Sequence, residues 1–319
     1  MNPSRAKKIA VSIVIRSFNE EQHLGNLLKS IAQQKFRDFE VVLVDSGSTD
    51  QTLQIAKQYS VRIESILPKE FTFGRSLNQG IRVSRGEIVV IASAHVLPLS
   101  ENWLTAIVKP FDDKLVAMSY GKQRGGMGSQ YSENQHWRNW FPEQSDLDQA
   151  SNFSNNANSA IRRSIWEIQP FDEDLTGLED IAWSSWAKSK DYKIAYVSEA
   201  EVAHLHGESA DQIINRYQRE AIALKQILPE SRFTFWHFLS HFARKSIEDI
   251  TQARSEGKLF KTFFSILGYR RRQYWGTYLG YRNNESLGAD DKMRFYYPPA
   301  SLEPKQNEKK NKAVEEIQS

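Results

Sequence analysis

The sequence predicts an α/β protein in which a parallel sheet comes first and a helical region follows. The run VVLVD at residues 41–45 is apolar at four consecutive positions, a pattern typical of a parallel strand covered on both faces. Strand and helix patterns alternate from residue 9 to residue 92, as a sheet built with helical crossovers requires. From residue 211 onward the apolar spacing is helical.

The N-terminal sheet is expected to have four parallel strands with helices between them. Asn19 is the expected N-cap of the first helix, and Ser48 with Gln51 has the capping-box spacing for the second. Because parallel strands end at one edge of the sheet, Asp45 is predicted to lie where open α/β sheets bind ligands. The predicted strands cover residues 9–15, 41–45, 61–66 and 87–92.

The following segments continue this alternation less regularly. A helix is expected at 103–108, and strands are expected at 115–120 and 193–197. Between them, residues 121–150 are polar, glycine-rich and dotted with aromatic rings. We expect a flexible loop whose rings can stack on a ligand, with a lid or a disordered segment as alternatives. The rings belong to His136, Trp137, Trp140 and Phe141.

Composition narrows the class of protein. The chain has 319 residues, of which 40% are hydrophobic and 25% charged, and a net charge of +3. This mild charge argues against a nucleic-acid partner, and the absence of cysteine excludes disulfides and thiolate-bound metals. No apolar run is long enough to cross a membrane, and residues 1–8 lack the apolar core of a signal peptide. The expected location is therefore cytoplasmic, either soluble or peripheral to a membrane.

Polar residues follow apolar stretches in four segments: VSIVIRSFNEE at 11–21, FEVVLVDSGSTDQT at 39–52, FTFGRSLNQG at 71–80 and EIVVIASAHVLPLSENW at 87–103. These segments resemble the successive motifs of glycosyltransferase family 2. The resemblance extends from about residue 9 to about residue 225. It implies a GT-A fold, that is, a Rossmann-like nucleotide-diphospho-sugar transferase domain with a mixed sheet flanked by helices. We therefore expect a catalytic domain at 1–225, a helical C-terminal appendage at 226–297 and a disordered tail at 298–319.

The resemblance implies a nucleotide-sugar site along the strand ends. Arg75 and Asn78 would lie nearer the phosphates or the base, although Arg75 can equally be an exposed cation at a helix start. Phe18 can equally be a core residue. The stretch at 152–163 resembles the family's strand that supports the donor sugar, and its asparagines can bind sugar hydroxyls or satisfy loop backbone. The residues implied around the base and ribose are Arg16, Phe18, Glu20, Asp45 and Ser46.

The family's Asp-x-Asp motif, which holds a divalent metal, is absent from this sequence. Its positions read Ser93, Ala94 and His95. Ser93 can bind a phosphate. His95 can ligate Mn or Mg, or it can donate a hydrogen bond to the diphosphate as a protonated imidazole. His204 matches a family histidine that reaches the metal, with His206 as the reserve. The alternative is that these are ordinary strand-end histidines.

The segment FDEDLTGLEDIAWSSW at 171–186 carries the expected catalytic acids. Gly177 allows a tight turn, and Glu179 and Asp180 then open a helix. Acids in a first helical turn are common in themselves, because the helix dipole favours them. They resemble the family's Glu-Asp motif, which implies Asp180 as the general base for an acceptor hydroxyl. Glu179 would orient Asp180 or bind the acceptor.

The C-terminal helices are rich in aromatic residues and arginine. The segments at 233–250 and 258–282 are both aromatic, and the second contains Arg270, Arg271, Arg272 and Arg282 with no acid between them. Such a helix can lie on an anionic membrane surface. It can equally pack in a bundle with a solvated basic side. The tail at 305–312 is basic and expected to be disordered.

The expected function is the inverting transfer of a hexose or deoxyhexose in surface polysaccharide biosynthesis. The donor would be a nucleotide-diphosphate sugar, and the acceptor a hydroxyl of a glycan or of a lipid-linked intermediate. One alternative is a catalytically silent nucleotide-sugar-binding relative, because the Asp-x-Asp carboxylates are missing. A dinucleotide-dependent oxidoreductase is a weaker alternative, since no strand leads into G-x-G-x-x-G.

Overall fold

The structure is a computed structural model, described here for residues 10–126, 128–205, 207–283 and 288–297. The predicted tail at 298–319 and His206 lie outside the described residues. The strands are β1 (Val11–Ser17), β2 (Phe39–Asp45), β3 (Val61–Ser65), β4 (Ile88–Ser93), β5 (Val96–Pro98), β6 (Val116–Gly125), β7 (Asn158–Arg162) and β8 (Lys193–His204).

Helices connect and follow these strands. The predicted helix at 103–108 is confirmed, and so are the two long aromatic helices near the C-terminus. Two short 3₁₀ helices cover Pro68–Glu70 and Lys109–Asp112. The α-helices are α1 (Leu24–Ala32), α2 (Thr52–Ala56), α3 (Phe73–Val83), α4 (Trp103–Val108), α5 (Tyr131–Trp140), α6 (Arg163–Trp166), α7 (Glu179–Lys188), α8 (Ala210–Ile227), α9 (Phe235–Ser255), α10 (Leu259–Arg282) and α11 (Ala289–Tyr296).

The eight strands form one mixed sheet in the order β3-β2-β1-β4-β7-β6-β8-β5. The four predicted parallel strands are confirmed, since β1 pairs in parallel with β2 and β4, and β2 pairs in parallel with β3. β7 runs antiparallel to β4 and β6, which makes the sheet mixed. In this register Ser17 lies opposite Asp45, and Arg16 lies opposite Ser93. The carboxyl ends of the three strands therefore meet at one edge.

The core lies between the central strands and the helices that cover them. Ile13 in β1 and Leu43 in β2 have no exposed surface, as the apolar-rich runs around them predict. α1 buries Leu24, Leu27, Leu28 and Ile31, which have the i, i+3, i+4, i+7 spacing of one helical face. Truncating a buried leucine of this kind costs about 2–5 kcal/mol. The sheet edge is thus held by a densely packed interior.

The contacts of the chain group it into two compact units. The sheet unit contains Met1–Gln123, Pro142–Glu173 and Asp180–Ala203. The helical unit contains Arg124–Phe141, Asp174–Glu179 and His204–Ser319. The linear division near residue 225 that the sequence suggests stays a prediction.

Within the helical unit, α8 and α10 make close backbone contact. A Cβ atom at Gly276 would lie 2.5 Å from the carbonyl oxygen of Ile214, and one at Gly280 would lie 2.4 Å from that of Gln218. Only glycine allows such an approach.

Among the helices that the structure describes, none has both the length and the apolar character of a membrane-spanning segment.

The predicted helix caps at Asn19 and Ser48 are wrong. α1 begins at Leu24 and α2 at Thr52, and neither has a side-chain cap. Asn19 has a positive φ of 52°, and its side chain accepts a hydrogen bond from the amide of Thr49. Ser48 bonds to Asp45 instead of to a helix end. These polar side chains have competing partners in a neighbouring loop.

The prediction of a flexible aromatic loop at 121–150 is also wrong. The segment contains the end of β6 and the whole of α5. Trp137 and Phe141 are buried in the helical unit and stack with ring centroids 5.7 Å apart, and His136 contacts Arg270. Trp140 is partly exposed, at 40%. Most of these rings therefore pack against other residues of the helical unit.

Candidate active site

Asp45 shapes the loop that follows the second strand. Its carboxylate is buried and accepts hydrogen bonds from the amides of Gly47 and Ser48, at 3.0 and 2.9 Å, and from the Ser48 hydroxyl at 2.5 Å. Gly47 has a φ of +94°, which only glycine adopts readily. The loop therefore carries a fixed negative charge at the edge of the sheet.

The loops after β1 and β2 are joined by several hydrogen bonds. The amide of Asn19 donates to the Ser48 hydroxyl over 2.9 Å, and the amide of Glu20 donates to the Thr52 hydroxyl over 2.7 Å. The amide of Ser46 donates to the carbonyl of Ser17 over 3.0 Å. These bonds bring the residues expected around the base and ribose together at one edge.

Arg16 is stacked on an aromatic ring that the sequence analysis missed. Its guanidinium carbon lies 4.6 Å from the ring centroid of Phe73, at the start of α3. A cation over a ring face is held electrostatically. Arg16 and Phe18 are both half-buried. The two phenylalanines of FTF at 71–73 were the only feature of the sequence that could have pointed to Phe73.

Asn78 and Arg75 hold the segment of chain that precedes Glu179 and Asp180. Asn78 is buried and bonds to the amide and carbonyl of Phe171, to the indole of Trp166 and to Glu173. Arg75 donates to Glu173 over 2.9 Å. The role of both residues in nucleotide binding stays a prediction.

Glu173 is a charged partner that sequence reasoning did not identify. Burial opposes its ionisation, but hydrogen bonds from Asn78, Arg75 and Arg82 outweigh burial and lower the pKa of Glu173. Next to it, a Cβ atom at Gly74 would lie 2.2 Å from the carbonyl oxygen of Asp172. Glycine is therefore needed where α3 meets this segment.

His95 and Glu20 form a pair across the ends of β4 and β1. The Nδ1 atom of His95 lies 2.7 Å from Oε1 of Glu20. Such a carboxylate fixes the tautomer and orientation of a histidine. Glu20, which the resemblance places near the base and ribose, lies against His95 in this structure. Ser93 is buried, and its amide bonds to the carbonyl of Ala157.

His95 could supply one ligand to a metal ion. With Nδ1 engaged by Glu20, coordination would use Nε2, and a carboxylate on the other ring nitrogen is usual for metal-binding histidines. In the described ranges, no group of three or more His, Asp or Glu side chains is placed to hold a metal. A divalent ion bound at His95 would need oxygens of the donor to complete its coordination, as Mg²⁺ does in many phosphate sites.

Asp180 is held at the start of α7 by two backbone amides. Its Oδ2 accepts from the amide of Asn156 at 2.9 Å, and its Oδ1 accepts from the amide of Ile181 at 2.8 Å. Leu178 just before it has a positive φ of 59°. Asp180 as a whole is 9% exposed. These contacts fix the orientation of the carboxylate at the start of α7.

The asparagines of the segment at 152–163 satisfy the protein's own polar groups. The side-chain oxygen of Asn156 accepts from the Ser159 hydroxyl, and that of Asn155 accepts from the amide of Ala157. Asn158 is fully buried and bonds to the indole of Trp103 and to the carbonyl of Ala200. Of the two roles that the sequence left open, these contacts favour support of the backbone.

Glu179 is the first residue of α7, and it belongs to the segment Asp174–Glu179 of the helical unit. The Thr176 hydroxyl in this segment donates to the carbonyl of Arg219 over 3.0 Å. Burial lowers the pKa of Arg219, and the charges of Glu220 and Glu179 oppose that effect. Arg219, which sequence reasoning missed, therefore supplies positive charge near the buried Glu179.

His204 ends β8 and lies in the helical unit. It is buried, and its ring packs on Trp137 with centroids 5.1 Å apart. Its carbonyl accepts from the amide of Gly126. Its role as a metal ligand stays a prediction.

The mixed sheet, with its strand-end loops and flanking helices, is the GT-A fold of nucleotide-sugar transferases. Mannosyltransferase PcManGT from Pyrobaculum calidifontis, solved with GDP-Man and Mn²⁺, matches 90% of this chain and 87% of its own, with a TM-score of 0.59 and 17% identity. Glucosyl-3-phosphoglycerate synthase from Mycobacterium tuberculosis, solved with Mn²⁺, UDP and glucosyl-3-phosphoglycerate, matches 70% of this chain and 81% of its own. Its TM-score is 0.53 and its identity 20%.

The sequence relatives agree with the fold. Residues 12–168 match the family model described as glycosyl transferase family 2, so the resemblance to this family is confirmed over that segment. The O-antigen chain rhamnosyltransferase WbaN of Salmonella anatum is 30% identical over 193 residues, which are 56% of this chain and 60% of WbaN. RfbN of Salmonella typhimurium, also an O-antigen chain rhamnosyltransferase, is 23% identical over 219 residues, 65% of this chain and 70% of RfbN.

Proposed function

We propose that the protein is an inverting glycosyltransferase and that Asp180 is its general base. The observation that carries this proposal is the fixed Asp180 carboxylate, which two backbone amides orient at the start of α7. An ionised carboxylate can accept a proton but cannot donate one. A single fixed base of this kind suits a one-step displacement, in which the acceptor oxygen attacks opposite the leaving group.

The proposed reaction breaks one bond and forms one bond at the anomeric carbon. The acceptor oxygen forms the new glycosidic bond while Asp180 takes the hydroxyl proton. The bond between the sugar and the nucleoside diphosphate breaks, and the diphosphate keeps the bonding electrons. Attack from the opposite side inverts the anomeric centre.

The donor would lie along the edge formed by the loops after β1 and β2. In this proposal Asp45 and Ser46 face the ribose or base, and Arg16, held on Phe73, contributes a positive charge. The hydrogen bonds between the two loops support the proposal, because a site that is already ordered loses little conformational entropy when the donor binds. Phe18, Arg75 and Asn78 remain predicted contributors to donor binding.

The leaving diphosphate needs its growing negative charge stabilised, which is often the largest catalytic effect. We propose that His95, oriented by Glu20, serves this group, and that Ser93 hydrogen-bonds a phosphate. A divalent ion, when bound, would be held by His95 together with donor oxygens and would neutralise part of that charge. His204 is proposed as a further ligand.

The relatives suggest the substrates. Because WbaN and RfbN are named O-antigen chain rhamnosyltransferases, we propose a nucleotide-diphosphate deoxyhexose as the donor. The acceptor would be a hydroxyl of a growing surface glycan or of a lipid-linked intermediate. We further propose that the protein works in the cytoplasm as a peripheral protein at the inner face of the cell membrane.

A labelled-donor assay tests the function. The protein is incubated with a panel of radiolabelled sugar nucleotides, with lipid-linked and glycan acceptors, and both transferred and hydrolysed sugar are counted. Thermal stabilisation by each unlabelled donor is measured in parallel, since saturation at a hundred times the dissociation constant adds about 2.7 kcal/mol. Transfer from one or a few donors supports the proposal. Stabilisation without any transfer or hydrolysis across the panel would instead identify a silent nucleotide-sugar-binding relative.

A further inference from the structure

One face of α10 is exposed and combines aromatic rings with arginines. Phe260 is fully exposed, Phe264 is 84% exposed and Trp275 is 37% exposed. Arg271 and Arg282 are also exposed. The five residues follow one another at spacings of four or seven, so they share one side of the helix. We call this set, Phe260, Phe264, Arg271, Trp275 and Arg282, the docking face.

The opposite side of α10 is committed to packing within the helical unit. Ile266 and Tyr269 are buried there, and Gly276 approaches the backbone of α8 too closely for any other residue. Arg270 is also buried and makes a bidentate ion pair with Asp249 of α9. Because this side is fixed, the docking face cannot turn inward without breaking the unit.

α9 adds exposed apolar side chains of its own. Trp236 is 76% exposed and Ile247 is 63% exposed. Phe235, next to Trp236, contacts Tyr278 of α10 with ring centroids 5.8 Å apart. α9 and α10 form a helical hairpin, and large exposed apolar residues occur on both of its helices. Single exposed apolar residues are normal on a protein surface, but a group of them calls for an explanation.

The same hairpin is strongly basic. Residues 235–282 contain nine lysines and arginines but three acids, a net charge of +6, whereas the whole chain has +3. Each of the three acids is already paired, Asp249 with Arg270, Glu248 with Lys245, and Glu256 with Lys258. In the part of the chain that the structure describes, no acid lies within ion-pair distance of six remaining cations: Arg244, Arg254, Lys261, Arg271, Arg272 and Arg282.

We propose that the docking face binds the interface of an anionic lipid bilayer. Phenylalanine and tryptophan favour the boundary between headgroups and acyl chains, and arginine can lie beside them while its guanidinium binds lipid phosphates. A second copy of the chain is a poorer occupant. In a twofold dimer the same basic surface would meet itself, and like charges in an interface are repulsive.

Vesicle sedimentation tests this proposal with the full-length protein alone. Vesicles of phosphatidylcholine are compared with vesicles that also contain phosphatidylglycerol, at low and at high salt. The protein should sediment with the anionic vesicles, and binding should weaken as salt is raised, since the screening length falls from about 10 Å at 0.1 M to 3 Å at 1 M.

Two variants divide the apolar and ionic contributions. Phe260→Ser with Phe264→Ser should weaken binding at least about tenfold. Arg271→Gln with Arg282→Gln should weaken it roughly twenty-five-fold, since each arginine near an anionic surface contributes about fivefold in affinity. All four side chains lie at exposed or solvent-facing positions, so folding should be retained, as circular dichroism would verify.

The matched controls lie in the sheet unit. Ile168→Ser removes an apolar side chain that is 66% exposed, and Lys57→Gln with Lys190→Gln removes two exposed charges. These controls should bind vesicles like the wild type. Equal binding by the docking-face variants and the controls would overturn the proposal, and so would no binding to anionic vesicles at low salt. A stable dimer in light scattering that Phe264→Ser dissolves would also overturn it, in favour of a second copy.

The vesicle assay contains no sugar nucleotide, so its outcome is independent of the proposed transferase activity. Sugar transfer to a water-soluble acceptor should be unchanged in the docking-face variants. Loss of vesicle binding with retained transfer separates the two proposals.

Discussion

A buried histidine gives the helical unit a stability that depends on pH. The Nε2 atom of His136 lies 2.5 Å from Arg270 and 2.9 Å from the amide nitrogen of Gln273. A guanidinium only donates hydrogen bonds, so this ring nitrogen must accept and the imidazole must be neutral. Burial, and then the positive charge of Arg270, lower the pKa of His136 to about 3.

The sign of the effect follows from the two pKa values. In the unfolded chain a histidine has a pKa of about 6.5, so between that value and about 3 the unfolded state binds a proton that the folded state does not. Stability is therefore fully present above pH 6.5 and is lost as the pH falls. Lowering the pH from 7.5 to 5.0 should cost about 2 kcal/mol from this residue, at about 1.4 kcal/mol per pH unit.

His136→Gln isolates this effect. The glutamine oxygen can still accept from Arg270, but the side chain does not titrate. We measure the free energy of unfolding in urea at pH 7.5 and 5.0, and we expect the variant to lose about 2 kcal/mol less than the wild type over that interval. His237→Gln is the control, because this exposed histidine caps α9 and glutamine can keep the capping box. Equal pH dependence in His136→Gln and the wild type would refute the reasoning.

Two further predictions concern the buried ion pair and the metal. Asp249→Asn leaves the buried charge of Arg270 without its bidentate partner and should lower the free energy of unfolding by about 3–5 kcal/mol. The exposed-pair control Lys245→Gln should cost less than about 1 kcal/mol in the same urea titrations. If a divalent ion binds at His95, a chelator should abolish transfer, and Mn²⁺ or Co²⁺ should restore it better than Mg²⁺, because imidazole prefers later transition metals. His95→Asp should shift that preference toward Mg²⁺, whereas full transfer in chelator at neutral pH would contradict the metal.

The sequence predicts the central architecture well because the determining patterns are local. β1, β2 and β4 are rich in apolar residues, β3 alternates apolar and charged residues, and the segments of α4, α9 and α10 are also recognisable within short stretches. The N-cap predictions fail for a physical reason. Asn19 and Ser48 bond to each other's loops, 29 residues apart in sequence. Because their side chains are engaged there, they do not cap the helices that follow.

The aromatic segment around α5 illustrates a second limit. Exposed and buried rings look alike in a polar stretch, and one contact that shows this segment to be packed joins His136 to Arg270, 134 residues away. Long-range partners of this kind leave no periodic signal in either segment.

The candidate site divides in the same way. The strand-end residues and Asp180 were proposed from motifs that occupy short stretches, and their roles in binding and catalysis stay predictions. Glu173, Phe73 and Arg219 were missed, because their importance lies in contacts with distant residues. Glu173, for example, bonds to Asn78 across 95 positions. The pairing of Glu20 with His95 was hidden for the same reason, since it spans 75 positions.

The most direct test of the central claim is the turnover of Asp180→Asn on the donor that the wild type uses. Stabilisation by that donor should be nearly unchanged, while turnover should fall by about a hundredfold or more, the typical contribution of a positioned general base. Glu179→Gln is the matched neighbour and should retain much more of the turnover. Near-wild-type turnover in Asp180→Asn, with the loss found in Glu179→Gln instead, would contradict the assignment of the base.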